Sequence, residues 1–171
     1  MSVSLNTLQA WRIRDLVEPK QAVSSRIGKS AAPLTGVTLA GERRTLVFVD
    51  TQPTVIYFFS PACRWCEENW ANVRALSAVS ANRFRFMAVA AESDLGQFAQ
   101  ARKLDFEILG GISRESLKAL GLSATPHMLV VSSRGQISHE WLGAFRGRQA
   151  RSIEDFFEIT LPGLSRPAET W

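Results

Sequence analysis

The sequence predicts an α/β fold in which helices flank a central mixed β-sheet, and three observations carry that prediction. From Thr54 to Leu120, strand-like and helix-like spacings alternate, as in a layered α/β domain. Residues 54–59 (TVIYFF) form an unbroken apolar run rich in β-branched and aromatic residues, as a central strand covered on both faces requires. On either side of the alternating stretch, paired apolar segments joined by turns that contain glycine read as antiparallel hairpins.

Each element follows from its own residues. Leu5, Leu8, Trp11, Arg12 and Leu16 fall near helical spacing and stop at Glu18-Pro19, so residues 1–27 read as an amphipathic helical arm that packs on the domain or follows an anchor upstream of Met1. Residues 28–33 (GKSAAP) are a loop. Val37, Leu39, the Gly41 turn and residues 46–49 make the first hairpin. Beyond the TVIYFF strand, Ser60-Pro61 breaks the pattern and helical spacing runs to about Ser80. Strands are then expected over 85–90 and 106–109, and helices over 95–102 and 113–120. A second hairpin uses 127–131 and 136–142, and 152–159 closes the domain as a helix. The division is an arm over 1–27, one domain over 28–161 and a loose tail over 162–171.

A chain of 171 residues with 46% hydrophobic and 21% charged residues buries a core of its own and has no structural need of a disulfide. The net charge is +4, with sixteen Arg against four Lys. The Arg clusters at 43–44, 83–85 and 146–151 fall in separate segments, which speaks against nucleic acid as a partner. No window approaches the roughly eighteen apolar residues of a membrane span, and the first thirty residues lack a signal-peptide layout, leaving an anchor before Met1 as the expected route to a membrane.

The only two cysteines stand three apart in Cys63-Arg64-Trp65-Cys66, directly after the apolar strand and at the start of a helix. Residues i and i+3 of a first helical turn are within reach of a disulfide, and a thiolate there is stabilised by free backbone N–H groups and the helix dipole. Cys63 is therefore the expected nucleophile. Cys66 shares a helical face with Trp70 and Val73, so it points inward and is the expected resolving thiol. A zinc half-site is the competing reading, but only His127 and His139 could add imidazoles and there is no second cysteine pair, so no metal is expected.

With these motifs in place, residues 28–157 resemble the thioredoxin-like superfamily, and within it the TlpA/ResA group of bacterial redoxins. The resemblance rests on Gly28-Lys29-x-Ala31-x-Pro33, the first hairpin, Phe58-Phe59-Ser60-Pro61-Ala62-Cys63-Arg64-Trp65-Cys66, and Thr125-Pro126 followed by a strand and an Arg134-Gly135-Gln136-Ile137 turn. It implies a thioredoxin fold with an N-terminal β-hairpin extension and an inserted helix-strand unit between residues 91 and 109. It implies a thiol-disulfide oxidoreductase without a cofactor that reduces protein disulfides and is recharged by a membrane-bound or thioredoxin-type electron donor. Cytochrome c maturation in a periplasmic or other extracytoplasmic setting is the group's common context.

The same resemblance assigns residues. Pro126 is expected to be cis and to face the disulfide, presenting the Thr125 backbone to an extended substrate segment. Arg64 and Trp65, between the cysteines, are expected to contact substrate. Ala91-Glu92-Ser93 matches an element that brings a glutamate near the cysteines, where a buried Glu92 with a raised pKa would exchange the Cys66 proton. Three positions depart from the pattern. Ala62 and Trp65 stand where Trp and Pro are usual, and Tyr57 replaces the buried Asp of plain thioredoxin, so redox potential and partner choice do not carry over.

Two other functions compete. Ser60-x-x-Cys63 imitates the peroxide-binding layout of peroxiredoxins, although a second cysteine at position 66 argues against a peroxidase. A non-enzymatic module that uses its cysteines for a metal or for assembly is the other. His139, on the second hairpin, reads as a surface residue.

Overall fold

The structure, a computed structural model, describes residues 26–80 and 82–164. The arm predicted over 1–27 lies outside the described residues except for Arg26 and Ile27, and so does the tail beyond Leu164. The described chain is tied down as far as Gly163, whose N–H donates to Asn72 Oδ1 at 2.9 Å.

Seven strands form one sheet: β1 (Leu34–Thr38), β2 (Arg43–Leu46), β3 (Thr54–Phe58), β4 (Arg85–Val89), β5 (Glu107–Gly110), β6 (His127–Val131) and β7 (Ile137–Leu142). Their order is β2-β1-β5-β4-β3-β6-β7. Strands β3, β4 and β5 are parallel neighbours and the remaining pairings are antiparallel, so the sheet is mixed as expected. Four helices complete the described chain: α1 (Arg64–Ser80), α2 (Gly96–Ala101), α3 (Arg114–Leu120) and α4 (Gly147–Phe157).

The unbroken apolar pattern of β3 follows from burial on both faces. Val55, Tyr57 and Phe59 point into a core with Cys66, Trp70 and Val73 of α1, Ala99 of α2, and Ile153 and Phe157 of α4. Ile56 and Phe58 point the other way, into a core with Leu117 and Leu120 of α3 and with Leu34, Met87, Leu109 and Leu129 of the sheet. Under the start of α1, Trp70 meets the rings of Tyr57 and Phe59 edge-on at centroid distances of 5.6 and 5.1 Å. Pairs in this geometry contribute about 0.5–1.5 kcal/mol beyond their buried area, and here they fix the floor beneath Cys66.

Three elements differ in their bounds from the sequence reading. Strand β1 starts at Leu34, ahead of Val37, and ends at Thr38, leaving Leu39 outside it and exposed. Strand β2 begins at Arg43, because the β1–β2 register (Leu34↔Leu46 to Val37↔Arg43) closes tightly around Gly41 at φ +83°, and Val49 keeps only a bridge to Arg134. Helix α4 starts at Gly147, earlier than expected, since its first turn is polar and only Ile153 and Phe157 carry the apolar signal. His139 is also not a simple surface residue. It is half-buried, with its ring 5.5 Å from Trp141 and 4.0 Å from Phe156.

Candidate active site

The sheet order gathers three loops at one end. Strand β3 ends at Phe58, parallel β4 ends opposite it at Val89, and antiparallel β6 begins opposite Phe58 at His127. The segments holding Cys63 and Cys66, Glu92, and Thr125-Pro126 therefore leave the sheet side by side, where ligands collect in open α/β sheets.

Cys63 and Cys66 form a disulfide with Cα atoms 5.2 Å apart. Strand β3 ends at Phe58, Pro61 supplies no N–H to resume the ladder, and the Cys63 N–H closes a turn onto the Ser60 carbonyl at 3.0 Å. Cys63 then occupies the cap position of α1. Its carbonyl accepts the N–H groups of Cys66 and Glu67, each at 3.1 Å, and its Sγ accepts the Cys66 N–H at 3.1 Å. The Cys66 N–H of the first helical turn is thus shared between this carbonyl and the sulfur that would carry the charge of a thiolate. Cys63 is half-buried, whereas Cys66 is 1% exposed on the inward face with Trp70 and Val73. This is the asymmetry read from helical spacing.

The Thr125–Pro126 peptide is cis. The Pro126 carbonyl accepts the Gly143 N–H at 2.7 Å, while among the described residues the Thr125 backbone makes no hydrogen bond. Next in the chain, His127 is 1% exposed and its Nε2 lies 2.8 Å from Glu140 Oε1, which also takes Arg26 at 2.6 Å. Burial holds the His127 pKa below its ordinary 6.5 against the opposing pull of the Glu140 carboxylate. Among the described residues, no three His, Cys, Asp or Glu side chains are grouped to hold a metal ion.

Glu92 departs from expectation. It is exposed, not buried, because its backbone carbonyl is held by the Gly111 N–H at 2.8 Å, leaving the side chain at the rim of the site. Its Oε1 accepts the Ser60 hydroxyl at 2.7 Å, and Ser60 Oγ in turn lies 3.4 Å from the Ala62 N–H. The glutamate thus grips the turn that carries Cys63. Behind it, a cleft of about 400 Å³ runs towards α3, lined by Phe58, Leu117 and Leu122 with Arg114 and Lys118 among the polar residues.

Tyr57, in the place of thioredoxin's Asp, is fully buried. Its hydroxyl faces Asn69 without a well-formed hydrogen bond, and burial drives its ionisation above the ordinary phenol range. Arg64 and Trp65 are both exposed beside the disulfide. Two further residues here are not anticipated from their spacing in the sequence. Asn69 Oδ1 accepts the Phe145 N–H, and Arg146, next in the chain, lies 4.8 Å from the Trp65 ring centroid.

With this geometry in view, comparison with solved structures decides the fold. The thioredoxin domain of a thiol-disulfide oxidoreductase from Bacteroides vulgatus superposes with a TM-score of 0.65, at 19% identity over 78% of this chain and 99% of that one. The chain has the thioredoxin fold. Other proteins of this fold that superpose include a thiol:disulfide interchange protein of the thioredoxin family from Chlorobium tepidum, at TM-score 0.61 and 17% identity over 77% of this chain and 94% of that one. A secreted disulfide oxidoreductase of Mycobacterium tuberculosis, described as homologous to E. coli DsbE, gives a TM-score of 0.60 at 16% identity over 72% and 93%. No protein-family model matches the sequence, and no curated protein matches it significantly. Relative to a minimal thioredoxin fold, the β1–β2 hairpin and the α2–β5 unit are the additions anticipated from the resemblance, with β5 set between β1 and β4.

Proposed function

We propose that this protein is a thiol-disulfide oxidoreductase that reduces disulfides of protein substrates through the Cys63–Cys66 couple. The observation that carries the reading is the pairing of a half-buried Cys63 sulfur, facing a helix N-terminal N–H, with a fully buried Cys66. In the dithiol form, the Cys63 thiolate attacks one sulfur of a substrate disulfide, forming a mixed disulfide and releasing the other substrate sulfur as a thiolate that takes up a proton. Cys66 then loses its proton and attacks Cys63 Sγ. The second substrate thiol leaves and the Cys63–Cys66 disulfide remains, two electrons having passed to the substrate.

Thr125, with its backbone free and half-buried beside the Pro126 cis bond, offers a strand edge to the substrate chain. Arg64 and Trp65 flank the attacking sulfur and contact the substrate. Glu92 acts by holding Ser60 and the turn beneath Cys63, because its exposure removes the ground for the proton exchange with Cys66 expected of it. The same Ser60–Glu92 bond counts against a peroxidase, since it engages the hydroxyl that such a reading requires to meet peroxide. Regeneration falls to a membrane-bound or thioredoxin-type dithiol donor. An extracytoplasmic setting, the common context of the redoxins this chain resembles, agrees with the description of the mycobacterial neighbour in fold as secreted. No helix among the described residues is long and apolar enough to cross a membrane.

The test is equilibration of the full chain across a dithiothreitol or glutathione redox series, followed by thiol alkylation and an insulin-reduction assay. A reversible two-electron transition of Cys63 and Cys66 together with turnover supports the reading. A pair that does not interconvert, or interconverts without turning over any protein disulfide, overturns it.

A further inference from the structure

We propose that the surface beside the disulfide, centred on Trp65 and Arg146, docks an acidic, extended segment of the protein partner. This rests on the reading of Cys63–Cys66 as an exchange pair and names the class of chain that the pair acts on.

Trp65 is 39% exposed, and a single exposed aromatic is unremarkable. What sets it apart is that guanidinium groups from two distant parts of the chain converge on it. Arg64 lies 5.5 Å from the ring centroid and Arg146 lies 4.8 Å from it, both within the range of cation–π attraction. Arg146 reaches this place because its neighbour Phe145 is anchored: Phe145 is 2% exposed, its ring meets Tyr57 edge-on at 6.0 Å, and its N–H donates to the buried Asn69. The guanidinium is therefore positioned before any partner arrives.

The charges at this corner do not cancel. Glu68 is engaged by Arg64 at 3.0 Å and Glu67 by Arg102 at 2.7 Å. Arg146 has no carboxylate partner among the described residues. Contact through the π face leaves the in-plane N–H donors of a guanidinium open, and that fork fits a carboxylate with two parallel hydrogen bonds. The positive end of α1 adds to the same field. In the mostly apolar cleft that Ser60 also lines, the exposed Arg114 and Lys118 outnumber the single carboxylate of Glu92. Arg146 and the Arg114–Lys118 pair thus present an excess of cations at this end of the sheet, which complements aspartate or glutamate side chains around the partner's cysteine and opposes lysine or arginine there.

Two ten-residue peptides test this. Both lack cysteine and share one apolar centre, with aspartates flanking it in one and lysines in the other. Each is titrated calorimetrically against the disulfide form of the full chain. The aspartate peptide is expected to bind roughly tenfold more tightly, with the advantage shrinking as salt rises. In Arg146→Gln that advantage falls roughly three- to tenfold, and in Arg146→Glu it disappears or reverses, whereas Arg43→Gln, which removes the same charge at the far edge of the sheet, keeps it. Circular dichroism checks that each variant is folded. Equal affinity for the two peptides, or an equal loss in Arg43→Gln and Arg146→Gln, overturns the proposal. So does binding to anionic phospholipid vesicles with no preference between the peptides. Because neither peptide carries a thiol, loss of exchange activity and loss of acid preference are separate results.

Discussion

Asn69 Oδ1 accepts the backbone N–H of Phe145 at 3.1 Å, joining the second turn of the disulfide-bearing helix to a loop 76 residues further along the chain. Asn69 is fully buried, and its Oδ1 is also 3.4 Å from Asn72 Nδ2. Asn69→Ala strands a buried N–H and is expected to cost about 1–3 kcal/mol of stability. Urea denaturation measures this, and a midpoint unchanged from the parent would show that the Phe145 N–H does not depend on Asn69.

The unequal burial of the two sulfurs fixes which single variants remain reactive. Cys66→Ser is expected to accumulate a mixed disulfide between Cys63 and a protein substrate, because no resolving thiol remains, while Cys63→Ser forms none. Non-reducing electrophoresis after incubation with oxidised substrate separates the cases. Trapping through Cys66 in the Cys63→Ser protein would invert the assigned roles.

Tyr57 hides a hydroxyl that lacks a well-formed partner. Removing an unsatisfied buried polar atom while keeping the ring that packs on Trp70 and Phe145 removes a desolvation cost and leaves the core intact. Tyr57→Phe is therefore expected to be neutral or to stabilise by up to about 1 kcal/mol. A clear drop in thermal midpoint would mean that the hydroxyl makes a bond the fold needs.

His127 and His139 both have pKa values held below the ordinary 6.5, in each case chiefly by burial. Below that pH the unfolded chain binds protons that the folded chain refuses. Stability therefore holds above pH 6.5 and declines as the pH falls from there towards the folded-state values. Chemical denaturation from pH 8 to pH 5 should show the decline, and His127→Gln should flatten it whatever its effect on overall stability. A slope identical in the variant would shift the effect to other groups.

What could be read from the sequence divides by distance along the chain. Strands β3, β4, β5 and β6 fall within about a residue of expectation, because burial on both faces leaves dense apolar runs that few other arrangements explain. The disulfide turn was equally legible, since strand, Pro61, Cys63 and Cys66 are neighbours. The start of β2 was not, because Arg43, Arg44 and Thr45 are exposed and carry no pattern. Trp65 with Arg146, Asn69 with Phe145, and Ser60 with Glu92 are pairs that the order of strands creates, and no local spacing announces them. The misplaced burial of Glu92 has the same origin, for its carbonyl is held by the N–H of Gly111, just past the end of β5.

The four-residue strand β2 closes one side of the sheet with two arginines. A free sheet margin is a template on which a second copy can add its own strand, and charge and shortness are what blunt it. An oxidoreductase that must open to other proteins' extended segments runs that hazard more than most, since its working end invites strand addition. At this margin Arg43 and Arg44 are both exposed, and Arg44 is paired with Glu107 at 2.7 Å. The first hairpin thus ends the sheet on a short, charged strand, the kind of edge that discourages pairing with a second copy.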